Sequence, residues 1–509
     1  MKKILFLCTF AILFAFVSAT IRNVPSTYAT IQLALSACVT GDTVLVQTGT
    51  YFENITWPGV NSIVLLSAGD SSNTIIDGNA AGRVLTFSSA AIDTATVVHG
   101  FKITNGRLYA SHSDGGGVYC SNSSPLILEC NITGNRLDST AQWCYGAGVM
   151  LSNSDAVFRN SSIRNNVTVS TSWAYGGGVH CTSNSIPVFD NCIIEGNYLT
   201  GNGWAYGAGI YMTQNSSAQL TNTIILGNHS NDASRCYGGG LYAESGSSPV
   251  LTNVRITENI MDGSAIWYYG GGVYFTGTNT NPVLMNVTVA DNVRSNGSTI
   301  SGSGMHAGNT AVVTITNSIF WNNNSGAEFD VSGATVNINY SCIRNGFTGT
   351  GNISSTPMFA AASDYHLQLT SPCINAGTLA GAPTFDLENN PRPQPALSNP
   401  DMGCYEIDQT ITEVNATEKL FTISVYPNPV SDVCTIYNLQ CTIERIEFYD
   451  AAGEQVFSQQ LNAKSQKQIS INVSSLASGI YICRIVWGSQ SISRKIVKLD
   501  IASPSYGGQ

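Results

Sequence analysis

From about residue 107 to 345 the chain alternates apolar and polar residues with a period of two, in short runs closed by Gly, Asn or Ser-Pro. Period two predicts strands with one buried face, and these runs lack the 3.6-residue spacing of an amphipathic helix. The runs also recur. A glycine-rich element reads Asp114-GGGVYC, Tyr145-GAGVML, Tyr175-GGGVHC, Tyr206-GAGIYM, Tyr237-GGGLYA, Tyr269-GGGVYF and Ser301-GSGMHA. A second element follows each and closes on Asn135, Asn166, Asn197, Asn228, Asn259, Asn292 and Asn323. Successive asparagines lie 31, 31, 31, 31, 33 and 31 residues apart, and Asn345 follows after only 22.

That short last interval predicts a bare repeat of about 22 residues holding three strands, with an insertion of roughly nine in the longer ones. A propeller blade needs about 40 residues and four strands, so the pattern fits a parallel β-helix whose coils stack at ~4.8 Å. Alternation assigns the faces. Val118, Val149, Val179, Ile210, Leu241, Val273 and Met305 point inward, as do the residues two positions on. Between them an outward column carries Tyr119, Met150, His180, Tyr211, Tyr242, Tyr274 and His306. The asparagine file predicts amide-to-amide hydrogen bonds along the axis.

Open ends of such a stack need caps. In TYATIQLALSAC, Ile31, Leu35 and Cys38 stand at near-helical spacing, which predicts a helical cap. The stretch VPSTYATIQLALSACVTGDTVLVQTGTYFENI resembles the N-terminal cap of right-handed parallel β-helices of the pectin-lyase-like class. The segment PMF…DYHLQLTSPCINAGT…PDMGCYE (357–406) resembles the choice-of-anchor Q segment of exported bacterial β-helix proteins. These resemblances imply an all-β fold rather than an activity: a β-helix over 20–356 and a terminal cap over 357–407.

Only 11% of residues are charged and 43% are hydrophobic, with a net charge of −10. Such a chain buries a core, which excludes disorder. Lys102 is the single lysine between residues 20 and 410, so no basic patch exists for nucleic acid. Residues 1–19 read as a signal peptide: Lys2 and Lys3, the apolar run Ile4–Val17, and a cleavage site between Ala19 and Thr20. That run is shorter than the ~20 residues of a membrane span, and no later segment is long enough. Cys120 and Cys181 share a column two coils apart, about 9.6 Å, beyond the ~7 Å reach of a disulfide. Cys130/Cys192 and Cys144/Cys236 are similarly separated, so all six are expected as buried thiols. Cys373–Cys404 and Cys434–Cys483 are the candidate disulfides.

After a linker over 408–420, residues 421–500 hold short alternating strands that predict a small β-sandwich, followed by a tail over 501–509. Tyr426-Pro-Asn-Pro, FYDAAGEQV, LASGIYICRI and RKIVKL, in that order, resemble the type A sorting domain of the type IX secretion system. The resemblance implies passage across the outer membrane, by way of the periplasm, with the type IX machinery as partner and attachment at the cell surface.

Candidate chemistry lies on the repeats. The insertions end in aromatic pairs: Trp143/Tyr145, Trp173/Tyr175, Trp204/Tyr206 and Trp267/Tyr269, with Tyr237 alone where Arg235 replaces the tryptophan. Stacked beside Tyr119, Tyr211, Tyr242 and Tyr274, they predict an aromatic trough about 20 Å long. Ring faces with polar edges suit sugars, so a glycan polymer is the expected ligand, against the alternative that the rings merely stabilise adjacent strands. Glu244 with Asp232 and Asp262 is the one candidate catalytic cluster, for a polysaccharide lyase or glycoside hydrolase of this fold. No complete catalytic signature is present, so binding or adhesion ranks ahead of catalysis, and a ligand-free structural stalk is the third reading. His180 and His306 read as surface members of the stripe. No cofactor is expected, and calcium is left as an alternative that no visible acidic cluster supports.

Overall fold

The structure, a computed structural model, describes residues 19–110, 112–139, 143–232, 234–263, 267–294, 299–323 and 327–408. It also describes 424–498, except 427–429, 431, 438–442, 451–453, 462–467 and 488–489. The leader up to residue 18, most of the linker, the Pro-Asn-Pro of the sorting motif and the tail lie outside the described residues. The chain divides into two compact units, Met1–Thr410 and Ile411–Gln509.

In the first unit three parallel sheets of 10, 12 and 11 strands run along the stack. We call them the glycine sheet (containing Val118–Ser121), the middle sheet (Leu126–Leu128) and the asparagine sheet (Asn131–Thr133). Each strand pairs with its counterpart one coil away, so Val118, Val149, Val179, Ile210, Leu241, Val273 and Met305 stand in one file. These residues are fully buried in one apolar core along the axis.

The insertions are strands as well. Each supplies one strand to an outer strip (containing Arg136–Ser139) and one to an inner strip (containing Trp143–Tyr145), and each strip has seven parallel strands. A second, thinner core lies between the strips, where Leu199 and Met261 of the outer meet Ala174, Ala205, Cys236 and Tyr268 of the inner.

Local chemistry sets the turns. Gly176 has φ +61°, and a Cβ there would stand 2.2 Å from the Val179 carbonyl oxygen. At Gly178 a Cβ would stand 2.7 Å from the Gly209 carbonyl of the next coil. A larger residue at Gly176 would distort the turn itself, and one at Gly178 would push the coils apart. Where the middle sheet turns into the asparagine sheet, Asn160, Asn191, Asn222, Asn253, Asn286 and Asn317 all have φ near +50°, a region asparagine tolerates better than most residues. The second asparagine file is buried and bonded as expected: Nδ2 of each residue from Asn135 to Asn292 donates to Oδ1 of the next at 2.7–3.0 Å. Asn323 ends the file by donating to Glu328 Oε2 at 2.7 Å.

The helix Ile31–Ser36 closes the first coil. Thr30 caps it by accepting from the Leu33 amide at 3.1 Å, and Glu53 accepts from the amides of Ile31 and Gln32. At the far end Phe329, Val336 and Phe347 pack against the last coil. The segment 357–407, expected as that end cap, instead lies along the outer face of the asparagine sheet. Asn253 and Asn317 each donate to one of its carbonyls and Asn286 to two, and a fully buried Arg392–Glu406 pair reaches back to Asn253.

The cysteine expectations divide. Cys120, Cys130, Cys144, Cys181, Cys192 and Cys236 are buried free thiols. Neither candidate disulfide is present. Cys373 and Cys404 enter two different apolar clusters, and Cys373 has Cys342 as its neighbour, whose thiol is pushed far up by that contact and by burial. Cys434 and Cys483 are free thiols entering one core from two different sheets.

The second unit is antiparallel, with one sheet of three strands and one of four. Ile436, Phe448, Ile471, Cys483 and Ile485 form its core, as the predicted sandwich requires.

Candidate functional site

Along each inner-strip strand the middle residue turns into the thin core, so its two neighbours face the glycine sheet. Tyr145 packs against His180, Tyr175 against Tyr211, Tyr206 against Tyr242, Tyr237 against Tyr274 and Tyr269 against His306, with ring centroids 5.0–5.5 Å apart. The outward column is therefore not a solvated face. Met150, His180, Tyr211, Tyr242, Tyr274 and His306 are all less than 10% exposed, because the inner strip folds back over them. Period-two alternation distinguishes the two sides of a strand but not what covers the outer one. Tyr119 is half-buried under the Arg83 guanidinium, 4.2 Å from its ring centroid.

The insertion aromatics form two further files. Tyr145, Tyr175, Tyr206, Tyr237 and Tyr269 stack at 4.9–5.4 Å, with successive planes within 13°. Trp143, Trp173 and Trp204 stack at 5.8 and 5.2 Å, and Arg235 continues the file with its guanidinium 4.8 Å over Trp204. In-register stacking turns the ring faces toward one another, so a ligand meets edges and hydroxyls rather than the flat faces expected from sequence. Trp267 is the most exposed of the four tryptophans, at 37%.

A cleft of about 320 Å³ opens at the start of this trough, lined by Asp114, Tyr145, Met150, Tyr175, His180, Thr182, Tyr211, Thr213 and Gln214. Asp114 is ion-paired with Arg83, and Thr182 donates to Gln214 Oε1 at 3.0 Å. Burial pushes the Tyr145 hydroxyl up to about 12 and the Tyr175 and Tyr211 hydroxyls higher still, so all three stay protonated at neutral pH. Beyond the cleft floor, Glu244 accepts from the hydroxyls of Tyr211 at 2.6 Å and Tyr242 at 2.8 Å.

Two of the three candidate acids, Glu244 and Asp262, do not come together. Asp262 lies 2.7 Å from His229, on the side of the outer strip opposite Met261 and hence away from the thin core. Glu244 sits in the tyrosine trough beyond the inner strip, and the Asp232 side chain lies outside the described residues. A larger cleft of about 870 Å³, unforeseen from sequence, borders Glu195, Glu258, Asp291, Trp321 and Phe359. Glu258 and Asp291 both accept from the Tyr365 hydroxyl, at 3.1 and 2.9 Å. They thereby clasp the 357–407 segment onto the coil, with Tyr365 filling the space between them. Among the described residues no group of three or more His, Cys, Asp or Glu is arranged to hold a metal ion.

Residues 47–228 match the family model described as the right handed beta helix region, and residues 424–499 match the secretion system C-terminal sorting domain. The first agrees with the stacked coils. The second marks the chain for type IX export, to the cell surface or outside. Among the described residues no helix is long and apolar enough to cross a membrane. Among solved structures a pectate lyase, Pel9A, aligns with TM-score 0.43 and 13% identity over 77% of this chain and 98% of its own. At that level nothing of its activity transfers. No curated protein sequence matches the chain.

Proposed function

We propose that this chain, a right-handed β-helix carrying a C-terminal sorting domain, is displayed at the cell surface to bind glycan polymers along the trough between the glycine sheet and the inner strip. The observation that carries the reading is the 320 Å³ cleft, where protonated tyrosine hydroxyls and the Thr182, Thr213 and Gln214 side chains meet over an aromatic floor. Hydroxyl edges beside apolar rings match the mixed surface of a sugar, whose hydroxyls both donate and accept. A repeat that lays the same edges down every ~4.8 Å suits a polymer better than a small molecule. Catalysis is the weaker reading, because Glu244 and Asp262 are held apart by the inner strip and each already has partners.

Affinity electrophoresis of the exported chain through gels containing single polysaccharides, some neutral and some uronate, tests the proposal. The wild-type chain is retarded by at least one polymer, and a Tyr145→Phe/Tyr175→Phe variant, which keeps both rings and loses both hydroxyls, is retarded at least fivefold less. Unretarded migration of the wild type in every gel would leave the structural stalk as the reading. Release of reducing ends or unsaturated products would favour the enzyme.

A further inference from the structure

His180 is the anomaly of the trough. It is 3% exposed and lines the cleft, and neither ring nitrogen has a hydrogen-bond partner among the described residues. Tyr145 and Tyr211 hold the ring by contact, each 5.0 Å away centroid to centroid. A neutral imidazole carries one N–H donor and one bare nitrogen acceptor, and leaving such groups unpaired in a buried place is unfavourable. The column does not forbid a partner: His306, at the same position four coils on, has Asp330 at 2.8 Å from Nδ1.

We propose that His180 is the recognition residue of the cleft, and that its ligand is a neutral, hydroxyl-bearing sugar unit rather than a uronate. This deepens the glycan reading and rests on it. A sugar hydroxyl donates and accepts at once, so it suits either kind of site on the ring. The charge around the cleft sets the preference. Its one ionic lining residue is Asp114, Glu244 stands behind Tyr211, and no lysine or arginine lines the cleft among the described residues. The nearby cation, Arg83, is already paired with Asp114. A uronate carboxylate would enter beside two carboxylates with no cation in the cleft lining to meet it.

Calorimetric titration of the exported chain with hexamers of neutral sugars (β-glucan, xylan and mannan) and of uronates (polygalacturonate and alginate) tests this. A neutral hexamer binds at least tenfold tighter than either uronate. His180→Phe, which keeps the stacked ring and removes both nitrogens, weakens that binding tenfold or more while the melting temperature holds, and His180→Gln, which restores a donor and an acceptor, recovers part of it. Binding by His180→Phe within twofold of wild type, with its melt unchanged, overturns the role of the imidazole. A preference for uronate overturns the ligand class. If the wild type binds none of the hexamers and no polymer in the gels, the glycan reading itself fails.

Discussion

His180 and His306 occupy one column of the glycine sheet, yet His306 has an acid 2.8 Å away and His180 has no hydrogen-bond partner among the described residues. Burial pushes the His180 imidazole down to about 3, so it stays neutral wherever the fold operates. Asp401 shows the reverse case for a carboxyl group. Burial, followed by the neighbouring Glu406, pushes it up to about 7, although the amides of Asn375 and Ile407 donate to it. In the unfolded chain it titrates near its ordinary 3.8. Between these values the unfolded state releases a proton that the folded state retains, so this residue's contribution to stability falls as pH rises from about 4 to about 7 and is lowest above 7. Thermal unfolding from pH 5 to 8 should show that decline, and Asp401→Asn should flatten it. An equal slope in both proteins would assign the pH dependence to other groups.

The buried asparagine file is an element in its own right. Asn197 donates to Asn228 and to the Ile163 carbonyl, and its own Oδ1 accepts from both the amide and the side chain of Asn166. Asn197→Ala leaves these buried groups unpaired on two coils, and unpaired groups cost about 1–3 kcal/mol each. Its denaturation midpoint should fall accordingly. Asn191, in the outer file, makes an exposed side-chain bond to Asn160 at φ +52°. Glycine keeps that backbone conformation at little cost, so Asn191→Gly should change the unfolding free energy by no more than about 0.5 kcal/mol. Similar losses in the two variants would mean that the buried ladder adds nothing beyond turn geometry.

The first unit behaves as a one-dimensional stack, each coil touching its neighbours. Tyr198 pairs with His229 and Ile193 with Ile224 in register. Excising residues 198–228, one whole repeat, should therefore rejoin every file, with Ile193 replacing Ile224 beneath the clasping segment. Circular dichroism should retain its strand signal and a cooperative melt near that of the parent. Excising 27 residues from the same start shifts every column out of line and should give an aggregated or poorly folded chain. Comparable folding of the two deletions would refute the in-register stack.

How much was legible in the sequence follows from the range of each interaction. The coil, its inward columns, the asparagine ladder, the helical cap with Ile31 and Leu35, and the six thiols too far apart to pair were all readable. Each depends on contacts between equivalent positions of adjacent repeats, and a period in the chain is a period in space. The cover on the outward column, the stacking that hides the ring faces, the partnerless His180, the Cys342–Cys373 neighbourhood and the course of the 357–407 segment were not readable. Those depend on where a nine-residue insertion folds back and where a non-repeating segment docks. That is decided by packing between surfaces whose separation along the chain follows no period, so only the tertiary structure decides it.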